Sequence, residues 1–197
     1  MKTGTNLLIH HLKFATPRLV LAGMIVAFTT FFGAETHAQE HSGHDHESRQ
    51  ETAPAKLVEM VRDATRQFID VNAATAANYQ PFLGCVTGPD QGAMGVHYVN
   101  GPLVGDGIID VNHPEALIYE PVGGAMRLVG VEYIVDAASW LQTHATAPVL
   151  EGQVFQLVTS PNRFGLPTFF ELHVWAWRDN PNGAFVDWNT KVSCERQ

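Results

Sequence analysis

The run TFFELHVWAW, residues 168–177, sets a glutamate and a histidine among aromatic residues. In a strand, alternate side chains share a face. Phe170, Leu172, Val174 and Ala176 would then form one apolar face, and Phe169, Glu171, His173, Trp175 and Trp177 the other. Two tryptophans around an imidazole and a carboxylate describe the wall of a pocket, where aromatic groups exclude water and a few polar groups orient a ligand. The plainer alternative is a half-exposed sheet face on which Trp175, Trp177 and Trp188 cluster across strands and His173 only bonds a neighbour.

Two further segments interrupt apolar runs in the same way. His97 lies between Val96 and Tyr98 in GAMGVHYVN, and Glu132 lies between Val131 and Tyr133 in RLVGVEYIV. A carboxylate inside such a strand, if it faces inward, must be paired, protonated or bound to a metal, because an unpaired buried charge costs several kcal/mol. Glu132 would share its face with Leu128, Gly130 and Ile134, and glycine there would let another backbone or a ligand approach closely. The ligand pocket expected from these strands comprises Glu171, Trp175, Trp177 and Tyr98.

His97, Glu132 and His173 on neighbouring strands supply two imidazoles and a carboxylate, a mixture suited to a divalent transition metal such as copper, zinc or iron. His113, in the loop segment NHPE, is the candidate for a fourth position. No HxH, HxxxH or HExxH pair occurs, so the fold must bring these ligands together. Without a metal, Glu132 and His173 form a candidate base and orienting partner. Arg127 would face away from Glu132 in a regular strand, and no GxSxG elbow supports a serine nucleophile.

These residues need elements to position them. Leu57, Val61, Ala64, Phe68 and Val71 recur at steps of three and four, which predicts one long helix over residues 55–78. Beyond Pro81, short β-branched and aromatic runs broken by glycine and proline predict strands at 94–99, 116–120, 127–135, 154–158 and 168–177. Residues 136–142 read as a short helix opened by Asp136. After the turn RDNPNG, residues 184–188 read as a returning hairpin strand. The expected class is α+β: a long N-terminal helix packed on a curved, mostly antiparallel sheet or partial β-barrel, in one globular domain over 55–197.

The first residues address location. Lys2, Lys13 and Arg18 precede an apolar stretch from Leu19 to Phe32, which falls short of the roughly 20 residues a spanning helix needs. Small and polar residues then lead to Thr36-His37-Ala38, the order of a secretory signal cleaved after Ala38. A periplasmic or secreted protein with no membrane attachment after cleavage is expected. Cys85 and Cys194 would enter an oxidising compartment, where an even count reads most simply as one disulfide. The formal net charge of −8 becomes more negative once residues 1–38 are lost, which argues against nucleic acid as a partner and leaves a small molecule or metal ion.

Residues 39–54, QEHSGHDHESRQETAP, offer no large apolar side chain and read as a flexible, histidine-rich tail. If cleavage follows Ala38, the new terminus Gln39-Glu40-His41 combines a free amine, two amide nitrogens and an imidazole, a square-planar nitrogen set for copper(II) or nickel(II). His44 and His46 add further ligands.

The segments GAMGVHYVN, LIYEP, RLVGVEYIV and ELHVWAWRDNPNG, over about residues 80–194, together resemble secreted bacterial proteins of an uncharacterised kind. The resemblance implies export and a single domain, and it carries no catalytic residue across. Three functional classes follow from the residues themselves: an exported small-ligand or metal-binding domain, an enzyme using the same site for metal-assisted or acid–base chemistry, and a structural domain in which these residues only pack.

Overall fold

The computed structural model describes residues 53–195. The expected signal sequence and nearly all of the expected tail, with His41, His44 and His46, lie outside the described residues. Leu57, Val61 and Phe68 are buried as their helical spacing requires, yet the segment is not one long helix. α1 (Ala53–Thr65) gives way to a 3-10 turn (Arg66–Ile69), and α2 (Val71–Ala76) follows. Asp70 causes the break. Its backbone is extended (ψ 114°), and its carboxylate accepts the N–H of Asn72 at 2.9 Å, which makes it the N-cap of α2. A short acid that satisfies a backbone donor locally competes with continuation of the helix. The end of α2 is equally local: Asn78 adopts φ 70°, the Tyr79 N–H donates to the Ala74 carbonyl and the Asn78 N–H to that of Thr75, the Schellman pattern with asparagine in the glycine position.

Six strands form the main sheet: β1 (Gln80–Gly88), β2 (Gly92–Val99), β3 (Ala116–Val122), β4 (Ala125–Asp136), β7 (Gln156–Val158) and β8 (Phe169–Val174). Their order is β1-β2-β3-β4-β8-β7 with antiparallel pairing throughout, and the sheet curls into a half-barrel. A short α3 (Gly101–Asp106) links β2 to β3. The predicted strand 154–158 is divided, because Phe155 turns inward between β6 (Gln153–Val154) and β7, while β6 pairs with β5 (Val149–Leu150) in a separate small hairpin. Asp136 caps α4 (Ala137–Trp140) by accepting the Ser139 N–H, as the sequence suggests. Residues 184–188 are not a hairpin strand; the segment is irregular and meets the chain through the Trp175 N–H, donated to the Ala184 carbonyl at 2.9 Å.

The two faces of the sheet have different neighbours. Leu117, Tyr119, Val131, Tyr133, Val135 and Leu172 pack with Leu57, Val61 and Phe68 in the main core. Ile118, Val129 and Trp175 pack with Ala93 and Val192 in a smaller cluster. Cys85 on β1 is bridged to Cys194 (S–S 2.01 Å, Cα–Cα 5.7 Å), and Cys194 packs against that smaller cluster. The disulfide suggests an oxidising, extracytoplasmic environment. Among the described residues no helix is long and apolar enough to cross a membrane.

Candidate metal and ligand site

Glu132 on β4 stands opposite Ala116 on β3 and His173 on β8, whereas His97 on β2 stands opposite Ile118. Neighbouring strands lie about 4.8 Å apart, so His97 and Glu132, two strands removed, can meet only above β3. Ala116 keeps that space open with a single methyl group. His97 Nε2 lies 3.3 Å from Glu132 Oε2, and His173 Nδ1 lies 4.0 Å from Glu132 Oε1 and 3.8 Å from Asp187 Oδ1. The close backbone approach expected at Gly130 is real: a Cβ there would sit 2.7 Å from the Val174 carbonyl oxygen. Trp175 packs over the same glycine, with its ring 6.2 Å from that of His173.

Other expected site residues fall elsewhere. His113 is exposed and bonds Asp110 through Nδ1 at 2.7 Å, within a turn, so it does not complete the set. Tyr98 lies on the opposite face of β2 from His97, in edge contact with Tyr119 of the main core. Trp177 also joins that core, and its indole N–H donates to Thr65 Oγ1 at 3.0 Å. The alternation that placed Trp177 beside His173 fails because β8 ends at Val174, after which the chain turns irregular. Leu128 leaves the Glu132 face for a similar reason: the pairing jumps from Ile118–Gly130 to Tyr119–Leu128, making Val129 an extra residue that reverses the facing of everything before it. Arg127 approaches Glu120 at 3.9 Å, not Glu132.

Glu132, Glu171 and His173 are buried, and Glu132 and Glu171 sit on one face of the β4–β8 pair, one step apart in register, where their carboxyl groups interact. Burial pushes the Glu132 carboxyl well above the usual carboxylate range, and the charge of Glu171 and the side-chain interaction with it push the same way. Burial also raises Glu171, partly offset by its interaction with Glu132, and raises Asp187, partly offset by Gln156. The Gln156 amide donates to Glu171 at 3.2 Å and also to Asp187. Burial holds both imidazoles far below their ordinary range, to about 3, and in His97 the neighbouring His173 adds to the effect. The His97 imidazole is therefore neutral near pH 7, and its approach to Glu132 is not an ion pair.

Neutral imidazoles are the form that ligates metals. His97, Glu132 and His173 offer ligand atoms within 4.8 Å of one another, and so do Glu171, His173 and Asp187. Ligand atoms in a tetrahedral zinc site lie about 3.4 Å apart, so side-chain shifts on the order of 1 Å would close either set on an ion. His173 is 1 % exposed, and neither of its ring nitrogens has a hydrogen-bond partner among the described residues. These buried His, Glu and Asp groups can hold a metal ion.

The site opens onto a cavity of about 250 Å³ whose only polar side chains among the described residues are His97, Glu132 and Glu171. Trp175, Trp177 and Tyr98 do not line it. Sequence reasoning missed Gln156 and Asp187, although Gln156 is the cross-strand neighbour of Glu171. It also missed β1, whose Phe82 and Leu83 stand at the cavity. Asp187 carried only a faint signal, a carboxylate just after the turn residues NPNG; Gln156 carried none. Compared with family models, curated proteins and solved structures, the chain matches none.

Proposed function

We propose that this chain is an exported binding domain that holds a divalent transition metal between His97, Glu132 and His173, with Glu171 and Asp187 as adjoining carboxylates. The observation that carries this reading is His173, fully buried with both ring nitrogens lacking a hydrogen-bond partner among the described residues and two carboxylates within 4.0 Å. Buried polar atoms in native proteins are nearly always bonded, and the exceptions call for an explanation such as an ion. A bound cation would also relieve the crowding of three carboxyl groups, since it favours their charged forms. Two histidines and a carboxylate leave positions open for a small molecule entering from the cavity.

Export belongs to the same proposal and rests on the secretory order of residues 1–38 and on the resemblance to secreted bacterial proteins. Metal analysis of protein purified without an affinity-tag histidine run, in a form lacking residues 39–47, tests the site apart from the tail. About one equivalent of zinc or copper should be retained, and His173→Ala and Glu132→Ala should each weaken its binding by more than about a hundredfold, since loss of a mere outer-shell partner of a ligand costs up to that much. Unchanged affinity in both variants would end this reading.

An enzyme is the second reading, favoured by two buried carboxyl groups, Glu132 and Glu171, set on one face at the floor of the cavity. A buried carboxyl raised above its ordinary range beside a second carboxyl is suited to general acid–base chemistry.

A further inference from the structure

The cavity itself carries a second message, about what reaches the metal. A cavity of about 150 Å³ in another protein holds one benzene ring, so the 250 Å³ here suits about two fused rings. Its walls include Phe164 and Phe169, whose rings make an edge contact at 6.5 Å, together with Met94 and Ile134. Aromatic and thioether groups of this kind prefer flat aromatic partners. Every polar side chain that lines the space belongs to the floor, and an apolar pocket with a few convergent polar groups is the usual form of a small-molecule site.

The mouth is built as an apolar lip. Between Phe82 and Cys85 the pairing of β1 with β2 slips, and Leu83 takes φ 60°, a left-handed conformation that leucine rarely adopts. This bulge leaves Phe82 38 % and Leu83 55 % exposed beside the cavity, and the disulfide at Cys85 anchors it one residue beyond Gly84. Local strain that holds apolar side chains toward water has no stabilising return within the fold and is characteristic of binding sites.

The floor decides the head group. Glu132 and Glu171 line it, Asp187 lies behind them near His173, and among the described residues no lysine or arginine lines the cavity. A carboxylate or phosphate would meet like charge there, and with a divalent ion bound the protein's own carboxylates already balance it.

We infer that the cavity binds a bicyclic-sized aromatic molecule that presents a hydroxyl or amine, and not an acid group, to the His97–Glu132–Glu171 floor. The inference deepens the metal-site reading and rests on it for the identity of the floor as a reactive or coordinating end.

The test uses the full mature chain, zinc-loaded and chelator-treated, titrated with 2-naphthol and 2-naphthoate by fluorescence and calorimetry. 2-Naphthol should bind at least about tenfold more tightly than 2-naphthoate, the discrimination expected from like-charge repulsion at a buried floor. Val104→Trp and Ile134→Phe, two independent wedges into the cavity, should each weaken 2-naphthol by a similar factor and leave zinc stoichiometry unchanged. Equal affinity for the two probes, no binding of 2-naphthol, or indifference to both wedges would overturn the proposal. If zinc is retained while 2-naphthol fails, this inference falls alone; if 2-naphthol binds in a wedge-sensitive way to protein that retains no zinc, the metal reading falls and the cavity assignment stands.

Discussion

The two faces of the curled sheet treat polar groups in opposite ways. On the helix side, each buried tyrosine hydroxyl reaches a backbone carbonyl: Tyr119 donates to Phe68, Tyr133 to Val111, and Tyr79, in the same core, to Pro114, all at 2.6–2.8 Å. On the other face, His173 bonds nothing among the described residues, and three carboxyl groups crowd around it with only a glutamine amide to share. Burial alone does not distinguish the faces, since Tyr133 and His173 are almost equally hidden from solvent. The hydrogen bonding of these two side chains does. A buried polar group with its partner specifies packing, whereas one without a partner costs stability and points to a ligand.

This comparison can be tested by stability measurements, beginning with the largest effect. The Cys85–Cys194 bridge closes a sequence separation of 109 residues and ties β1, beside the cavity, to the C-terminal segment. In the chain-entropy model, removing it as Cys85→Ala/Cys194→Ala should cost about 4–5 kcal/mol of unfolding free energy, read by urea denaturation. A loss below about 1 kcal/mol would show that the cavity side does not depend on that link.

A smaller effect tests a buried acid that does have a partner. Glu115 accepts the Ile134 N–H at 3.0 Å, and burial raises its carboxyl to about 8 from an ordinary 4.5. A group with a raised folded-state value contributes its full stability below pH 4.5, and that contribution is lost as the pH rises through about 8. Stability should therefore fall between those limits by an amount on the order of a few kcal/mol, a fall that Glu115→Gln should reduce. Denaturation midpoints at pH 5 and pH 9 for both proteins provide the check, and identical slopes would exclude Glu115 as the source.

The smallest effect separates the faces most directly. Tyr133→Phe should destabilise by about 1–2 kcal/mol, because it strands the Val111 carbonyl. His173→Leu, which removes unsatisfied polar atoms without leaving a large void, should leave the metal-free protein equally stable or stabilise it by about 1 kcal/mol, while abolishing metal retention. Differential scanning calorimetry on chelated and zinc-loaded samples measures both. Equal destabilisation by the two variants would mean that His173 is a packing residue like Tyr133.

Much of this was legible in residue order. Regular alternation located β2, β3, β4 and β8, and it singled out His97, Glu132, Glu171 and His173 as intrusions into apolar strands. The helical spacing of Leu57, Val61 and Phe68 identified their buried face, but it did not register that Asp70 would cap a new helix. β1 escaped notice because Pro81, Gly84 and Gly88 read as loop, and its bulge hides the alternation. Tyr98 directly follows His97 in β2, so alternation itself turns it to the opposite face, whereas Leu128 and Trp177 were assigned to the wrong surroundings because a side chain's facing depends on where regular pairing starts and stops. One extra residue at Val129, or the end of β8 at Val174, reverses it.

Sequence alone determined which chemical groups are present and which of them are out of place in apolar strands, because those properties are local and follow a period of two. It also set the conditions for one disulfide, since only two cysteines exist to be paired. The tertiary structure decided which intrusions meet. His97 and Glu132 are 35 residues apart in numbering yet 3.3 Å apart in space because both strands flank β3 and Ala116 leaves room between them. Asp187 and Gln156 arrive from an irregular segment and an edge strand, where no periodic pattern foretells direction. Proximity across strands is fixed by register, bulges and curl, and these emerge only when the whole sheet forms.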